Sequence, residues 1–152
     1  MIIILSVRTH KDWIERYKMA HLKFLTYSTE IYSRYVHNKN FFKLIINEMI
    51  EDLKEQEEYY TADKEFLKLI TKKGRGRDKG VRFVNKEDLA TFRIGDFEED
   101  DNIKELFYNV MFSLAKKENN ENKSQYSISY FMLDIVEYME TNLEKIYLNL
   151  KI

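Results

Sequence analysis

The chain contains no proline among its 152 residues. Proline interrupts helices because it lacks an amide hydrogen and its ring clashes with the preceding turn. A chain without it can form long, unbroken helices, and loop-rich all-β domains are disfavoured because they depend on proline and glycine turns. This feature alone favours a mainly α-helical fold.

Apolar residues recur at intervals of three and four in five segments, which is the spacing of amphipathic helices. The second and last stripes are the clearest, at Phe41 to Leu53 and at Ile128 to Leu150. Three helices have a start signal in the sequence. The first begins at Thr9 with Asp12, the third at Thr61, and the fourth at Asn102 with Glu105. The predicted helices cover about 9–36, 41–53, 61–73, 102–117 and 128–150.

Three short segments are rich in β-branched and aromatic residues. Ile2 to Val7 predicts a buried N-terminal strand, and Val81 to Val84 with Phe92 to Ile94 predict a small hairpin. We therefore expect a mainly α fold: an irregular bundle of about five helices with a small β element, formed by the N-terminal strand and a hairpin near 81–94. Residues 1–152 should form a single domain. A winged helix is the alternative arrangement.

The composition excludes several kinds of site. The chain has no cysteine, which rules out disulfides, thiolate zinc sites, iron–sulfur clusters and a cysteine nucleophile. The absence of cysteine suits a reducing compartment, so we expect a cytoplasmic protein. Residues 1–7 are too few for a membrane span, and no membrane partner is predicted.

The segment from Lys72 to Arg82 holds six basic residues and one acidic residue, a net charge of +5, together with three of the four glycines. Such a loop can bring backbone amides and arginines to the phosphates of RNA or DNA. It lacks the spacing of a nucleotide-binding P-loop, and the simpler interpretation is a solvated turn after a helix. The candidate nucleic-acid-binding residues are Lys72, Lys73, Arg75, Arg77, Lys79 and Arg82.

Acidic residues are concentrated in two places. The outer face of the second helix carries Glu48, Glu51, Asp52, Glu55 and Glu58. The second group precedes the fourth helix and consists of Asp96, Glu98, Glu99, Asp100 and Asp101. The simplest interpretation of this run is helix capping and solvation. It could also neutralise the basic loop, and both groups could imitate a phosphate backbone toward a basic protein partner.

Signs of catalysis are weak. No hydrolase, metalloprotease or dinucleotide motif occurs, and His10 and His21 are too far apart on one predicted helix to share a metal. Arg34 and His37 resemble the Arg and His pairs of HEPN ribonucleases. Two residues separate them here, whereas four to six do so in that family, so no activity is inferred. We predict no catalytic residue, metal, cofactor or small-molecule ligand.

Two functions follow as hypotheses. The first is a non-enzymatic, nucleic-acid-associated accessory subunit, of the kind found in ribonucleoprotein complexes, that contacts phosphates through the basic loop. The alternative is a small protein-binding regulator or inhibitor, of the kind that mobile elements encode against host defences, that acts through its acidic surfaces. Eleven tyrosines are too many for the core, so some should reach the surface and serve either function. A helical nuclease is the least unlikely enzyme.

Overall fold

The computed structural model describes residues 2–71, 86–118 and 128–150. In this part of the chain, two strands and six α-helices confirm a mainly α bundle with a small β element. In chain order, the elements are β1 (Ile2–His10), α1 (Lys11–Leu25), α2 (Thr29–Tyr35), α3 (Asn38–Glu55), α4 (Lys64–Thr71), β2 (Leu89–Glu98), α5 (Ile103–Glu118) and α6 (Ile128–Leu150). Short 3₁₀ turns at Lys86–Asp88 and Glu99–Asp101 flank β2.

The two strands form an antiparallel ribbon that joins the N-terminus to the middle of the chain. β1 begins at Ile2, as predicted, but continues to His10, and the predicted strand at Phe92 to Ile94 lies within β2. A bulge falls between Leu5 and Ser6, whose partners on β2 are Gly95 and Arg93. The other predicted hairpin strand, at residues 81–84, lies outside the described residues.

The predicted start of the first helix was wrong by two residues. Thr9 belongs to β1, where it is fully buried and its hydroxyl donates to the backbone oxygen of Ser129. The cap is His10, whose Nδ1 accepts from the backbone N–H of Asp12 at 3.0 Å. Because the buried hydroxyl is used by a distant segment, it is unavailable to cap its own helix.

The predicted first helix was also too long, since it is divided into α1 and α2. Thr26 folds its hydroxyl back onto the carbonyl of Lys23, and Ser28 accepts from the N–H of Ile31 to start α2. Such side chains compete with the helical backbone for hydrogen bonds. The apolar pattern hid this break because Phe24 and Ile31 both remain buried in the same core.

The third helix also starts later than predicted. The Oδ1 of Asp63, not the hydroxyl of Thr61, accepts from the N–H of Phe66 at 2.8 Å, and α4 begins at Lys64. The predicted end signals of this helix, at Lys72 to Gly74, lie outside the described residues.

The core lies around α6, whose boundaries match the prediction. Its stripe of Met132, Ile135, Met139, Leu143 and Ile146 is buried where α6 packs against α1, α3 and β1. α3 is enclosed on its apolar side by α2, α5, α6 and β2. This arrangement leaves the opposite side of α3 to solvent, and Glu51 and Glu55 lie along it.

Candidate functional site

The described residues carry a strong negative charge. They contain 17 Lys and Arg residues and 24 Asp and Glu residues, a net charge of −7. All six candidate nucleic-acid-binding residues, Lys72, Lys73, Arg75, Arg77, Lys79 and Arg82, lie outside the described residues. Neutralisation of that loop by the acidic run therefore stays a prediction. The structure positions the acidic candidates, which occupy two separate regions.

The first region is the C-terminal half of α3. Glu51 and Glu55 are exposed there, and neither forms an ion pair with another described residue. The C-terminus of a helix carries a partial negative charge that favours cations and disfavours carboxylates. These two residues also form a like-charged pair four positions apart, which is mildly destabilising. Their placement therefore opposes the stability of α3.

The end of α3 adds two more carboxylates in a Schellman turn. The N–H of Glu58 donates to the carbonyl of Leu53 at 2.8 Å, and that of Glu57 donates to the carbonyl of Lys54 at 3.0 Å. Glu57 has a φ of 58°, in the left-handed region that such turns usually fill with glycine. Glu58 lies 3.5 Å from the Nζ of Lys117. A glutamate therefore occupies a position at which glycine would be less strained.

Asp52 is partly exposed and contributes to the contact between α3 and α6. Its carboxylate accepts from the hydroxyl of Tyr138 at 2.7 Å and from Lys145 at 3.4 Å. Burial and the hydrogen bond to Asp52 raise the pKa of Tyr138. Burial, reinforced by the charge of Asp52, raises the pKa of Glu48, which is half-buried beside them. Asp52, one of the acidic residues predicted on the outer face of the second helix, therefore helps to hold α3 against α6.

The second region is the acidic run before α5. Asp101 receives a 2.6 Å hydrogen bond from Lys43 of α3, and this contact lowers the pKa of Asp101. Asp96 is held by Arg93 at 2.6 Å. Glu98, Glu99 and Asp100 are exposed and form no ion pair within the described part of the chain. The contact with Lys43 ties this turn to α3, whereas Glu98, Glu99 and Asp100 are solvated; capping of α5 by the acidic run stays a prediction.

The two acidic regions do not form a single cluster. Lys43, which anchors Asp101, precedes Glu51 by eight residues, which is about 12 Å along α3. Glu51 and Glu55 are the exposed carboxylates of α3, with half-buried Glu48 one turn before them and Glu57 and Glu58 just after the helix. We define the acidic surface as Glu48, Glu51, Glu55, Glu57 and Glu58.

The N-terminal half of α3 has the opposite character. Arg34, Tyr35, Asn40, Lys43, Leu44 and Asn47 line a shallow, open groove of about 310 Å³. Arg34 lies over the ring of Tyr35, 5.9 Å from its centre. The solvent-facing side of α3 therefore changes from basic and amide groups at one end to carboxylates at the other, the reverse of what the helix dipole favours.

The histidines do not assemble a reaction centre. His10 and His37 are at the starts of α1 and α3, and the side chain of His37 makes no capping hydrogen bond. His21 is half-buried, stacks on Phe41 with ring centres 4.3 Å apart, and has its Nε2 2.7 Å from the carbonyl oxygen of Tyr35. Within residues 2–71, 86–118 and 128–150, no group of three or more His, Asp or Glu side chains is arranged to hold a metal ion.

Among the tyrosines that the structure describes, two are exposed. Tyr32 is 55% exposed, and Tyr60 is 40% exposed with Lys116 positioned 4.2 Å from the centre of its ring. Tyr17, in contrast, is fully buried and donates to Asn38. The exposed tyrosines are on different elements, α2 and the segment after α3, so they do not define a stacking surface.

Comparisons of the chain with protein-family models, with curated proteins and with solved structures gave no match. No helix in the described ranges combines the length and the hydropathy needed to cross a membrane. Function must therefore be inferred from the charge and geometry of the chain itself.

Proposed function

We propose that this domain is a non-enzymatic regulator or inhibitor that binds a basic protein through the acidic surface at the C-terminal end of α3. The observation that carries the proposal is the placement of Glu51 and Glu55, which are exposed, free of ion pairs with described residues and located where the helix dipole opposes them. Exposed charges that reduce stability are best explained by a role in binding.

The surrounding contacts favour a rigid site. Asp52 holds α3 onto α6 through Tyr138 and Lys145, and Glu58 is held near Lys117 of α5. The acidic side chains therefore extend from a helix that is fixed on two sides. A fixed row of carboxylates suits a partner whose own cations are fixed, as in a protein that binds the backbone of a nucleic acid.

The test is a pull-down from cell extract that compares three baits: the wild-type chain, the double variant Glu51→Lys with Glu55→Lys, and the control Glu137→Lys with Glu144→Lys. The control makes the same change in net charge at exposed residues of α6. We expect the wild type and the control to retain the same basic partner, and DNA or RNA in excess to displace it. The proposal would be contradicted if the α3 variant retained the partner, or if excess nucleic acid did not displace the partner from the wild type.

A second candidate function is direct contact with nucleic acid, in an accessory subunit of a ribonucleoprotein complex. Its specific support is the +5 charge of residues 72–82, next to a described part of the chain with a charge of −7. An acidic body limits non-specific attraction, so that binding would depend on the basic segment.

Filter binding of RNA and DNA across a range of salt concentrations tests this candidate. We expect retention at low salt that falls steeply as salt rises, and loss of retention when Arg75, Arg77, Lys79 and Arg82 are replaced by Ala. No retention at low salt, or no effect of these substitutions, would eliminate it. The variant Glu51→Lys with Glu55→Lys should retain nucleic acid at least as well as the wild type, which separates the two functions.

A further inference from the structure

Within the described residues, the N-terminal strand β1 has one edge that is paired and one that is not. Its nine residues pair with β2, and the sheet contains only these two strands in the described part of the chain. The Oγ of Ser129, from α6, donates to the carbonyl of Arg8 at 2.9 Å. The N–H and C=O groups of Arg8 therefore point away from β2. Because these groups point to alternate edges along a strand, those of Ile2, Ile4 and Ser6 also point away from β2.

Beyond this contact at Arg8, the free edge has no backbone partner among the described residues. Unpaired strand edges are usually protected by charged side chains, proline, a bulge or a covering element. Residues 2–6 of β1 contain no charged side chain and no proline. The bulge does not protect this edge either, because its extra residue is Ile94 of β2. As far as the described residues go, this edge is therefore open to another strand.

The side chains at this edge are apolar as well as exposed. Ile2 is 60% exposed and Ile4 is 52% exposed, and both are on the outward face of the ribbon, opposite Glu98 and Asp96. β-branched residues are favoured in strands because they pack well on a pleated surface. Two neighbouring exposed isoleucines would each lose apolar surface to water if another strand paired with this edge.

The charges on the outward face favour a second copy of the chain as the occupant. Glu98 is at the end of the face next to Ile2, and Arg8 is at the other end, opposite Thr91. Neither forms an ion pair with a described residue. When two such edges pair antiparallel about a two-fold axis, Arg8 of each copy approaches the end that carries Glu98 of the other. The outward face, with Arg8 on β1 and Glu98 on β2, is thus complementary to itself across the edge, as a two-fold interface requires.

We propose that the chain forms a symmetric dimer in which the β1 edges pair antiparallel, centred on Ile4, to give a continuous four-stranded sheet. This register pairs Ile2 with Ser6 of the other copy and leaves the carbonyl of Arg8 to Ser129. An edge of five residues buries less than the roughly 1,200 Å² of a stable standard interface. The dimer should therefore dissociate on dilution.

The chain has no native cysteine, so a single introduced thiol reports the register directly. In Ile4→Cys the two thiols would be opposite each other, with Cα atoms about 5.5 Å apart, which a disulfide can bridge. Mild oxidation should give a covalent dimer on a non-reducing gel. The matched control is Met19→Cys, at a position on α1 that is 66% exposed. Equal cross-linking of both variants would overturn the proposal.

Sedimentation velocity across a concentration series tests the pairing without a cross-link. Wild type should shift from monomer to dimer as concentration rises, whereas Ile4→Lys should remain monomeric and Leu22→Lys, on α1, should behave like wild type. Circular dichroism verifies that each variant is folded. A wild type that stays monomeric at every concentration, or an Ile4→Lys dimer, would overturn the proposal.

Charge reversal tests the orientation of the two copies. Arg8→Glu and Glu98→Arg should each weaken the dimer several-fold, and the double variant should recover most of that loss because each pair again has opposite charges. A double variant as weak as the sum of the two single variants would exclude the antiparallel arrangement.

Discussion

Gly95 of β2 lies directly against Lys39 at the start of α3, and a β-carbon at position 95 would be 2.8 Å from the Cβ of Lys39. Real β-carbons do not approach each other so closely, and the second neighbour, at 3.4 Å, is the backbone of Lys39 itself. The absence of a side chain at Gly95 therefore allows the ribbon to pack onto the helix that carries the acidic surface.

The first prediction is that Gly95→Ala destabilises the fold by about 1–3 kcal/mol, the usual result of forcing an extra carbon into a packed contact. Urea denaturation measures the change. Thr91→Ala, at an exposed position of the same strand, is the control and should be nearly neutral. A stability of Gly95→Ala equal to that of Thr91→Ala would show that the strand can move away from α3 at no cost.

The second prediction concerns Glu57. Its φ of 58° places the backbone in the left-handed region, where a β-carbon carries a steric penalty that glycine avoids. Glu57→Gly should therefore stabilise the protein by about 1 kcal/mol, seen as a higher melting temperature in circular dichroism. Glu57→Ala removes the same charge but keeps the β-carbon. If the alanine variant gained as much as the glycine variant, the charge and not the backbone would be the cause.

Patterns within single elements were largely predictable from the sequence. The bounds of α6 follow from periodicity, and the presence of β1 follows from a continuous run of β-branched residues. The helix-face position of Glu51 and Glu55 follows from their spacing. The break between α1 and α2 was missed because hydroxyl side chains at Thr26 and Ser28 interrupt the backbone without interrupting the apolar pattern.

Contacts between distant residues could not be predicted. Asp52 and Tyr138 are separated by 86 residues, and Lys43 and Asp101 by 58, so no local pattern identifies either pair. The sequence grouped Asp52 with Glu51 and Glu55 because all three are acidic. Only the packing of α6 on α3 separates the carboxylate that stabilises the fold from those that face solvent.

The third prediction uses this separation. Asp52→Asn should destabilise the protein by about 1 kcal/mol, because it weakens hydrogen bonds from Tyr138 and Lys145 at a partly exposed site. Glu51→Gln and Glu55→Gln should each stabilise it by about 0.3 kcal/mol, since they remove repulsion between neighbours and with the helix dipole. Urea denaturation at low ionic strength measures all three. A loss of stability in Glu51→Gln would indicate that Glu51 has a structural partner.

The fourth prediction is a loss of stability in acid that depends on His21. Burial lowers the pKa of its imidazole below 6.5, although the hydrogen bond to the carbonyl of Tyr35 opposes this shift. The unfolded chain therefore takes up a proton at pH values where the folded chain does not, and stability should decrease as pH falls below 6.5. His21→Gln, which keeps a hydrogen-bond donor but cannot titrate, should reduce the slope of unfolding free energy between pH 7 and pH 5. His37→Gln controls for the loss of a histidine, and an NMR titration of the His21 ring reports its pKa directly. An acid dependence that is the same in His21→Gln and wild type would assign the effect to other groups.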